Sequence, residues 1–347
     1  MKVLFISGRE PTYQRNRVIL KGLRRSGVEI DECTSFSGSY LLRYPEVLLR
    51  FLKKKEYDLL FVGFFGQPLV LLLRRVVRKP ILFDAFLSAY DTICLERRVI
   101  SPKSVAGRVL FWLDKRSCEL ANIVLLDTKS HIDFFIKTFA LDESKFERVF
   151  VGADDDVFYP RMVKKHDGIQ VLYYGTFLPL QGVEYIVEAA KLLHSDENIR
   201  FKIIGNGVTY PRIMRLVKKL GIKNIRFTDR VPYEALPSEI ADADICLGGH
   251  FSAIPKAGRV IPGKVFQMIA MKKPIVLGDG PGNKELFQHK KNAFFCERAN
   301  PEAIADSIAT LKNDLSLRER IAENAYVTFR EKCTPGNHRP TNQRNCY

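Results

Sequence analysis

No segment of this chain approaches the roughly 20 consecutive apolar residues that a membrane-spanning helix needs. No uninterrupted apolar run is longer than that of residues 69–73, which Arg74 and Arg75 close. No two of the seven cysteines, at positions 33, 94, 118, 246, 296, 333 and 346, form a Cys-x-x-Cys pair. Neither a zinc knuckle nor a dithiol redox centre is therefore encoded in that form. No secretion signal is evident, because Met1 and Lys2 lead straight into the short apolar run 3–6. An odd cysteine count without such a signal points to a reducing cytoplasm. There is no recognisable nucleic-acid motif and no interleaved aromatic–basic platform, so nucleic acid is not expected as a partner.

What is present is positive charge, unevenly placed. The 347 residues carry a formal net charge of +16, and residues 1–116 hold 22 Lys/Arg against 11 Asp/Glu. Such a field attracts phosphate-rich partners: a nucleotide or an anionic lipid surface. The basic amphipathic stretch 41–55, with Arg74, Arg75, Arg78 and Lys79, is expected to be able to dock on anionic lipid. A helix facing its own core with a wet basic side would read the same way. With 46% hydrophobic and 27% charged residues, the composition is that of a globular chain long enough for two domains.

Short apolar strands alternate with helical periodicity along the whole chain. Strands are expected at 3–7, 28–30, 57–62, 80–83, 123–126 and 146–151, with helices between them. The polar stretch 154–165, which contains Pro160, interrupts the alternation, and it then restarts with a strand at 170–174. Such alternation gives parallel sheets covered on both faces. The expected division is one Rossmann-like domain over 1–160 and a second over 161–332. Residues 333–347 lack apolar periodicity and read as an unstructured tail.

Open parallel sheets bind ligands beyond the carboxyl ends of their strands. The segment Tyr173-Tyr174-Gly175-Thr176-Phe177-Leu178-Pro179-Leu180-Gln181-Gly182 has one glycine at a strand end and a second that opens a helix. A helix start with free N–H groups attracts phosphate, although a plain strand–loop–helix turn has the same pattern. Further on, Arg259 and Lys264 flank a Pro262-Gly263 turn at another helix start. Fixed cations beside a helix N-terminus suit a diphosphate leaving group. Asp84 and Asp91 follow a strand of the first half, placed to accept a proton from an acceptor hydroxyl or to orient it; capping or a local turn is the other reading. His131 follows Thr128 at a helix start and reads as structural. Asp242-x-Asp244 spells a metal-binding pattern but sits between a helix end and a buried strand. The run Asp154-Asp155-Asp156 reads as a solvated turn. No metal or other cofactor is expected.

The second half resembles the retaining GT-B glycosyltransferases of family 4, the group 1 glycosyl transferases. Three motifs carry the likeness: the loop 175–182 with the helix that follows; Ile203-Ile204-Gly205-Asn206-Gly207; and Ile240-Ala241-Asp242-Ala243-Asp244-Ile245 leading to 264–276. The stretches 83–92 and 126–131 look like a branch of the same family. The resemblance implies two Rossmann-like doubly wound domains facing across a cleft, an acceptor-binding one over 1–160 and a nucleotide-sugar-binding one over 161–332. It implies that Gly175, Thr176, Gln181 and Gly182 line a diphosphate whose oxygens Arg259 and Lys264 hold. It places Arg230, Val231 and Pro232 against the base, and Gln267 at the ribose. The loop from Gly249 and His250 to Lys256 would face the donor sugar. The chain also departs from the family pattern. Thr176 and Gln181 stand where the family often has Arg and Lys, and Arg259 and Gln267 replace its pair of glutamates. On this resemblance Arg259 would supply the cation lost at Thr176 or Gln181.

The expected activity is transfer of a sugar, with retention, from a nucleoside diphosphate sugar to a glycan or lipid-linked acceptor. The expected location is cytoplasmic or peripheral on the inner face of a membrane. A nucleotide-sugar epimerase or hydrolase, and an inactive nucleotide-sugar-binding protein, are the alternatives.

Overall fold

A computed structural model of the chain describes residues 1–8, 12–37, 39–54, 56–162 and 166–336. It divides into two compact units. One comprises Met1–Val151 together with the stretch from Pro335, and the other Gly152–Thr334.

The first unit is built from β1 (Lys2–Ser7), α1 (Gln14–Arg25), β2 (Glu29–Thr34), α2 (Tyr40–Leu52), β3 (Leu59–Val62), α3 (Gln67–Leu73), β4 (Ile81–Asp84), α4 (Val105–Leu120), β5 (Ile123–Leu126), α5 (Lys129–Phe139) and β6 (Phe146–Arg148). Its six strands form one sheet in the order β2-β1-β3-β4-β5-β6, every neighbouring pair parallel. Because strand side chains alternate, β1 feeds two cores at once. Leu4 and Ile6 join Val47 and Phe51 of α2, Leu69 and Val70 of α3 and Phe135 of α5 on one face. Val3 and Phe5 meet Ile19 and Leu20 of α1 on the other. Burial on both faces explains why the strand is an unbroken apolar run. Truncating Phe5 to alanine would cost about 3–5 kcal/mol.

The second unit contains β7 (Ile169–Tyr174), α6 (Val183–Leu192), β8 (Ile199–Ile204), α7 (Tyr210–Leu220), β9 (Ile225–Thr228), α8 (Leu236–Ala241), β10 (Ile245–Gly249), α9 (Pro255–Arg259), α10 (Gly263–Ala270), β11 (Ile275–Gly278), α11 (Pro281–Lys284), β12 (Phe294–Cys296), α12 (Pro301–Asn313) and α13 (Leu315–Lys332). Its sheet runs β12-β11-β10-β7-β8-β9, again all parallel. The order reverses between β7 and β10: the chain runs outward through β8 and β9, then returns to the far side of β7. That pair is the topological switch point, where doubly wound sheets leave a crevice outside the strand ends.

Both units are doubly wound α/β, as the alternation implied. Three local expectations change. A π-helical turn at Asp91–Glu96 follows β4, and α9 forms inside the stretch expected to be a loop. Residues 333–336, expected to belong to an unstructured tail, are packed instead. Cys333 is fully buried, and its amide donates to Phe329 O at 2.9 Å, extending the end of α13. Pro335 O then accepts from Arg25 Nη1 at 3.3 Å. Gly336 lies so close to Gly22 that a side chain at Gly22 would meet its nitrogen at 2.8 Å. Residues 337–347 lie outside the described residues. Among those described, the six cysteines are buried and unbridged, so they behave as small core side chains.

Candidate active site

In the second unit, β7 delivers its carboxyl end to the switch point. Gly175, the next residue, has φ +150°, a conformation that side chains rarely adopt. A short 3₁₀ turn, Pro179–Gln181, then leads to Gly182, whose φ of +68° starts α6. A Cβ at Gly182 would fall 2.6 Å from Ser252 N. The loop is tied to the segment after β10: Phe251 N donates to Gln181 O at 3.1 Å, and Ser252 Oγ donates to Leu180 O at 2.8 Å. The two chains of the switch point are thus stitched together.

Lys264 enters this loop from the first turn of α10. Its Nζ donates to Gln181 Oε1 at 2.8 Å and lies 3.8 Å from the centre of the Tyr173 ring. Tyr173 OH donates to the same Gln181 oxygen at 3.1 Å. A Cβ on Gly175 would stand 3.3 Å from the ammonium, and one on Gly249 3.7 Å from it. The lysine is 8% exposed, and burial drives its pKa well below the usual lysine value. Among the described residues no carboxylate lies within ion-pair reach of it. A cation in the first turn of a helix also opposes the helix dipole, which favours an anion there.

The neighbourhood adds more positive charge. His250 and Lys256 are buried. Burial, followed by the charges of Lys264, Lys256 and Arg298, holds the His250 pKa well below the ordinary histidine value. Arg298, which the sequence reading did not single out, donates to Asp279 O at 2.9 Å and to Ile254 O at 3.1 Å. It pins the stretch between β10 and α9 from a loop after β12, a long-range role with no local signature.

The other expected residues divide. Gly175, Gln181, Gly182, Gly249, His250 and Lys264 come together at the switch point. Thr176 is exposed on the same loop. Gln267 is buried one turn along α10, and its Oε1 accepts from Tyr174 OH at 2.7 Å. Arg259 closes α9 and is half-buried. Arg230 and Pro232 are exposed and Val231 half-buried, in the loop after β9 at the same edge of the sheet. In each of the two acidic patterns one carboxylate accepts a backbone hydrogen bond. Asp244 Oδ2 accepts from Gln170 N at 2.8 Å, and Asp154 Oδ1 from Asp156 N at 3.2 Å.

In the first unit, Asp84 ends β4 with 1% exposure. Arg15 Nε donates to both of its oxygens, at 3.0 and 2.9 Å, while Arg15 Nη1 donates to Val149 O at 2.5 Å. Burial raises the Asp84 pKa and the Arg15 charge pulls against that rise. Asp127 Oδ1 lies 2.7 Å from His131 Nδ1, and Thr128 Oγ1 caps α5 by accepting from His131 N at 3.0 Å. Asp91 is buried in the π-helical turn. Asp114 of α4 fixes the segment before it: Ser88 Oγ and Tyr90 N donate to one oxygen at 2.6 and 2.8 Å, and Gln67 Nε2 and Ala89 N to the other at 3.0 and 3.1 Å. Arg15 and Asp114 were missed. The sign of Arg15 in sequence is its place one turn before the buried Val18 and Ile19.

Comparison with known proteins agrees with this architecture. The structure of the HepE protein of Anabaena in complex with UDP superposes with a TM-score of 0.73 at 15% identity, covering 96% of each chain. Sucrose-phosphate synthase of Thermosynechococcus elongatus gives 0.75 at 13% identity, covering 96% of this chain and 95% of that one. In sequence, the alpha-D-kanosaminyltransferase of Streptomyces kanamyceticus is 24% identical over 281 residues, which are 78% of this chain and 67% of that relative's length. The profile of the family described as glycosyl transferases group 1 matches residues 155–328, half of the chain and nearly all of the second unit, and the chain belongs to that family.

Proposed function

We propose that this protein transfers a hexosyl group from a nucleoside diphosphate sugar to a glycan or lipid-linked acceptor, with retention at the sugar carbon. The observation that carries the reading is the buried ammonium of Lys264, held by Gln181 at the switch point without an acidic partner. A buried cation lacking a counter-charge is costly unless a ligand supplies one. The diphosphate of a sugar nucleotide has the right sign, and the N-terminus of α10 favours it too. As the glycosidic bond breaks, negative charge grows on the leaving diphosphate. A desolvated cation fixed beforehand stabilises that charge most where water is excluded. The chemistry then needs no metal. Lys264 takes the place of the lysine that the family often carries at position 181, and Gln181 has become its tether. Arg259 serves as the second cation, Gln267 and the segment from Arg230 to Pro232 serve the nucleoside, and the loop from Gly249 to Lys256 serves the donor sugar. The first unit binds the acceptor, with Asp91 taking the proton of its hydroxyl or orienting it, while Asp84 is engaged by Arg15.

Support for a uridine donor comes from the HepE structure, which holds UDP. Calorimetric titration with UDP, GDP and their sugars tests the donor assignment. Release of UDP with a retained anomeric centre in the product tests the reaction. If the wild-type protein binds no nucleoside diphosphate, or if Lys264→Met binds it as tightly as wild type, the assignment is wrong.

A further inference from the structure

Helices α3 and α4 of the first unit pack against each other and leave a groove of about 510 Å³ on their outer side. Leu72 and Trp112, the latter 55% exposed, line it. Val109 and the 79% exposed Val105 precede Trp112 by three and seven residues, on the same stripe of α4, and the exposed Val76 follows α3. Monomeric soluble proteins seldom gather exposed large apolar side chains in this way unless something covers them. The charges lining the groove are all of one sign: Arg74, Arg75 and Arg116, with no acidic side chain. The nearby acids are already engaged. Glu119 pairs with Arg116 at 2.9 Å and with Lys115 at 3.9 Å, and Asp114 is buried in its own network. Helix α2 contributes Val47 and Phe51 to the same core layer and turns Leu42, Leu49 and Leu52 outward.

We infer that the outer face of α3 and α4 docks on an anionic lipid bilayer, with Trp112 and the valines entering the interfacial region and the arginines contacting lipid phosphates. Indole prefers the boundary between acyl chains and headgroups. Arginine stems lie along apolar surface while their guanidinium groups reach outward. The charge surplus of residues 1–116 adds long-range attraction to a negative membrane surface. A protein partner would more often set acidic groups against such arginines, and nothing in the groove beyond charge and apolar character calls for one. The inference deepens the lipid-linked acceptor reading, yet its test does not depend on that reading.

Trp112 is the chain's only tryptophan, so its fluorescence reports on this face alone. With the full chain and vesicles of phosphatidylcholine containing about 30% phosphatidylglycerol, emission should shift to the blue, and spin-labelled lipid should quench it. Pure phosphatidylcholine vesicles should bind far more weakly, and about 1 M salt should release most of the protein. Arg75→Glu with Arg116→Glu should lower the partition coefficient roughly thirtyfold. Val105→Ser with Val109→Ser should lower it roughly tenfold. Both variants keep the reporter and, being at exposed positions, should keep the fold and UDP affinity. Equal partition of wild type and both variants would overturn the inference. So would a blue shift that appears with protein concentration in the absence of lipid, which would assign the face to a second copy. UDP binding lost with vesicle binding intact would sink the donor assignment and leave this one standing.

Discussion

The two units solve the burial of charge in opposite ways. In the first, three buried groups bring their own partners: Arg15 with Asp84, Asp127 with His131, and Asp114 with four donors. In the second, Lys264, Lys256 and His250 are buried together beside Arg298, and Lys264 has only a neutral amide oxygen and a ring face as partners. A self-neutralised cluster holds a fold in one shape, because removing either partner strands the other. A buried cation whose partners are all neutral, as Lys264 is, is a standing demand for an anion from outside. The first arrangement serves stability, and the second stores binding energy for a ligand.

The largest effect that can break this contrast is in the first unit. Arg15→Ala should destabilise it by about 3–5 kcal/mol, because Asp84 is left buried and uncompensated. Urea unfolding measures this, and a cost under about 1 kcal/mol would show that the pair is not the neutralised unit described here. Next comes Lys264→Met. UDP affinity should drop about a hundredfold, close to 2.7 kcal/mol, while the unliganded protein should be as stable as wild type or more so. A variant that loses stability and keeps affinity would erase the distinction between the units.

The pH dependence sharpens the same point. The pKa of Lys264 is depressed well below 10.5 and that of His250 well below 6.5. Between each depressed value and the ordinary one, the unfolded chain holds more protons than the folded chain. Stability of the unliganded protein therefore rises with pH through both windows. UDP favours the charged forms, so its affinity should fall as pH rises. Thermal unfolding and calorimetry across pH 5–10 would test both slopes, and Lys264→Met should lose the alkaline part. A flat profile in the wild type would mean that these groups are not desolvated as described. The smallest effect is expected at Thr128→Ala, about 1 kcal/mol from the lost cap of α5, with UDP affinity unchanged.

Much of the fold was readable along the chain. The helix over residues 210–220 begins and ends where its apolar spacing and Gly221 say it should. The paired helices α12 and α13 were likewise evident, to within a residue at the end of α13. Loop 175–182 and Lys264 stood out because glycines and a helix start are local signals. Other parts were not readable. The turn at Asp91–Glu96 depends on Asp114, more than 20 residues away, fixing the backbone before it. Cys333 looked like the start of a loose tail, because nothing nearby in sequence announces that its site is filled by core. Trp112 sits within an ordinary helical pattern, and only packing shows which of its neighbours face outward.

By itself, the sequence determined the alternation of strand and helix, the two successive units, and which loops end in glycine. These follow from period, side-chain shape and backbone freedom, all properties of a few adjacent residues. Only the tertiary structure decided that Gln181 meets Lys264, 83 positions later, and that Asp84 meets Arg15. Such meetings are set by the order of strands in a sheet, and so is the positive charge that the second unit leaves at Lys264 for a ligand to balance.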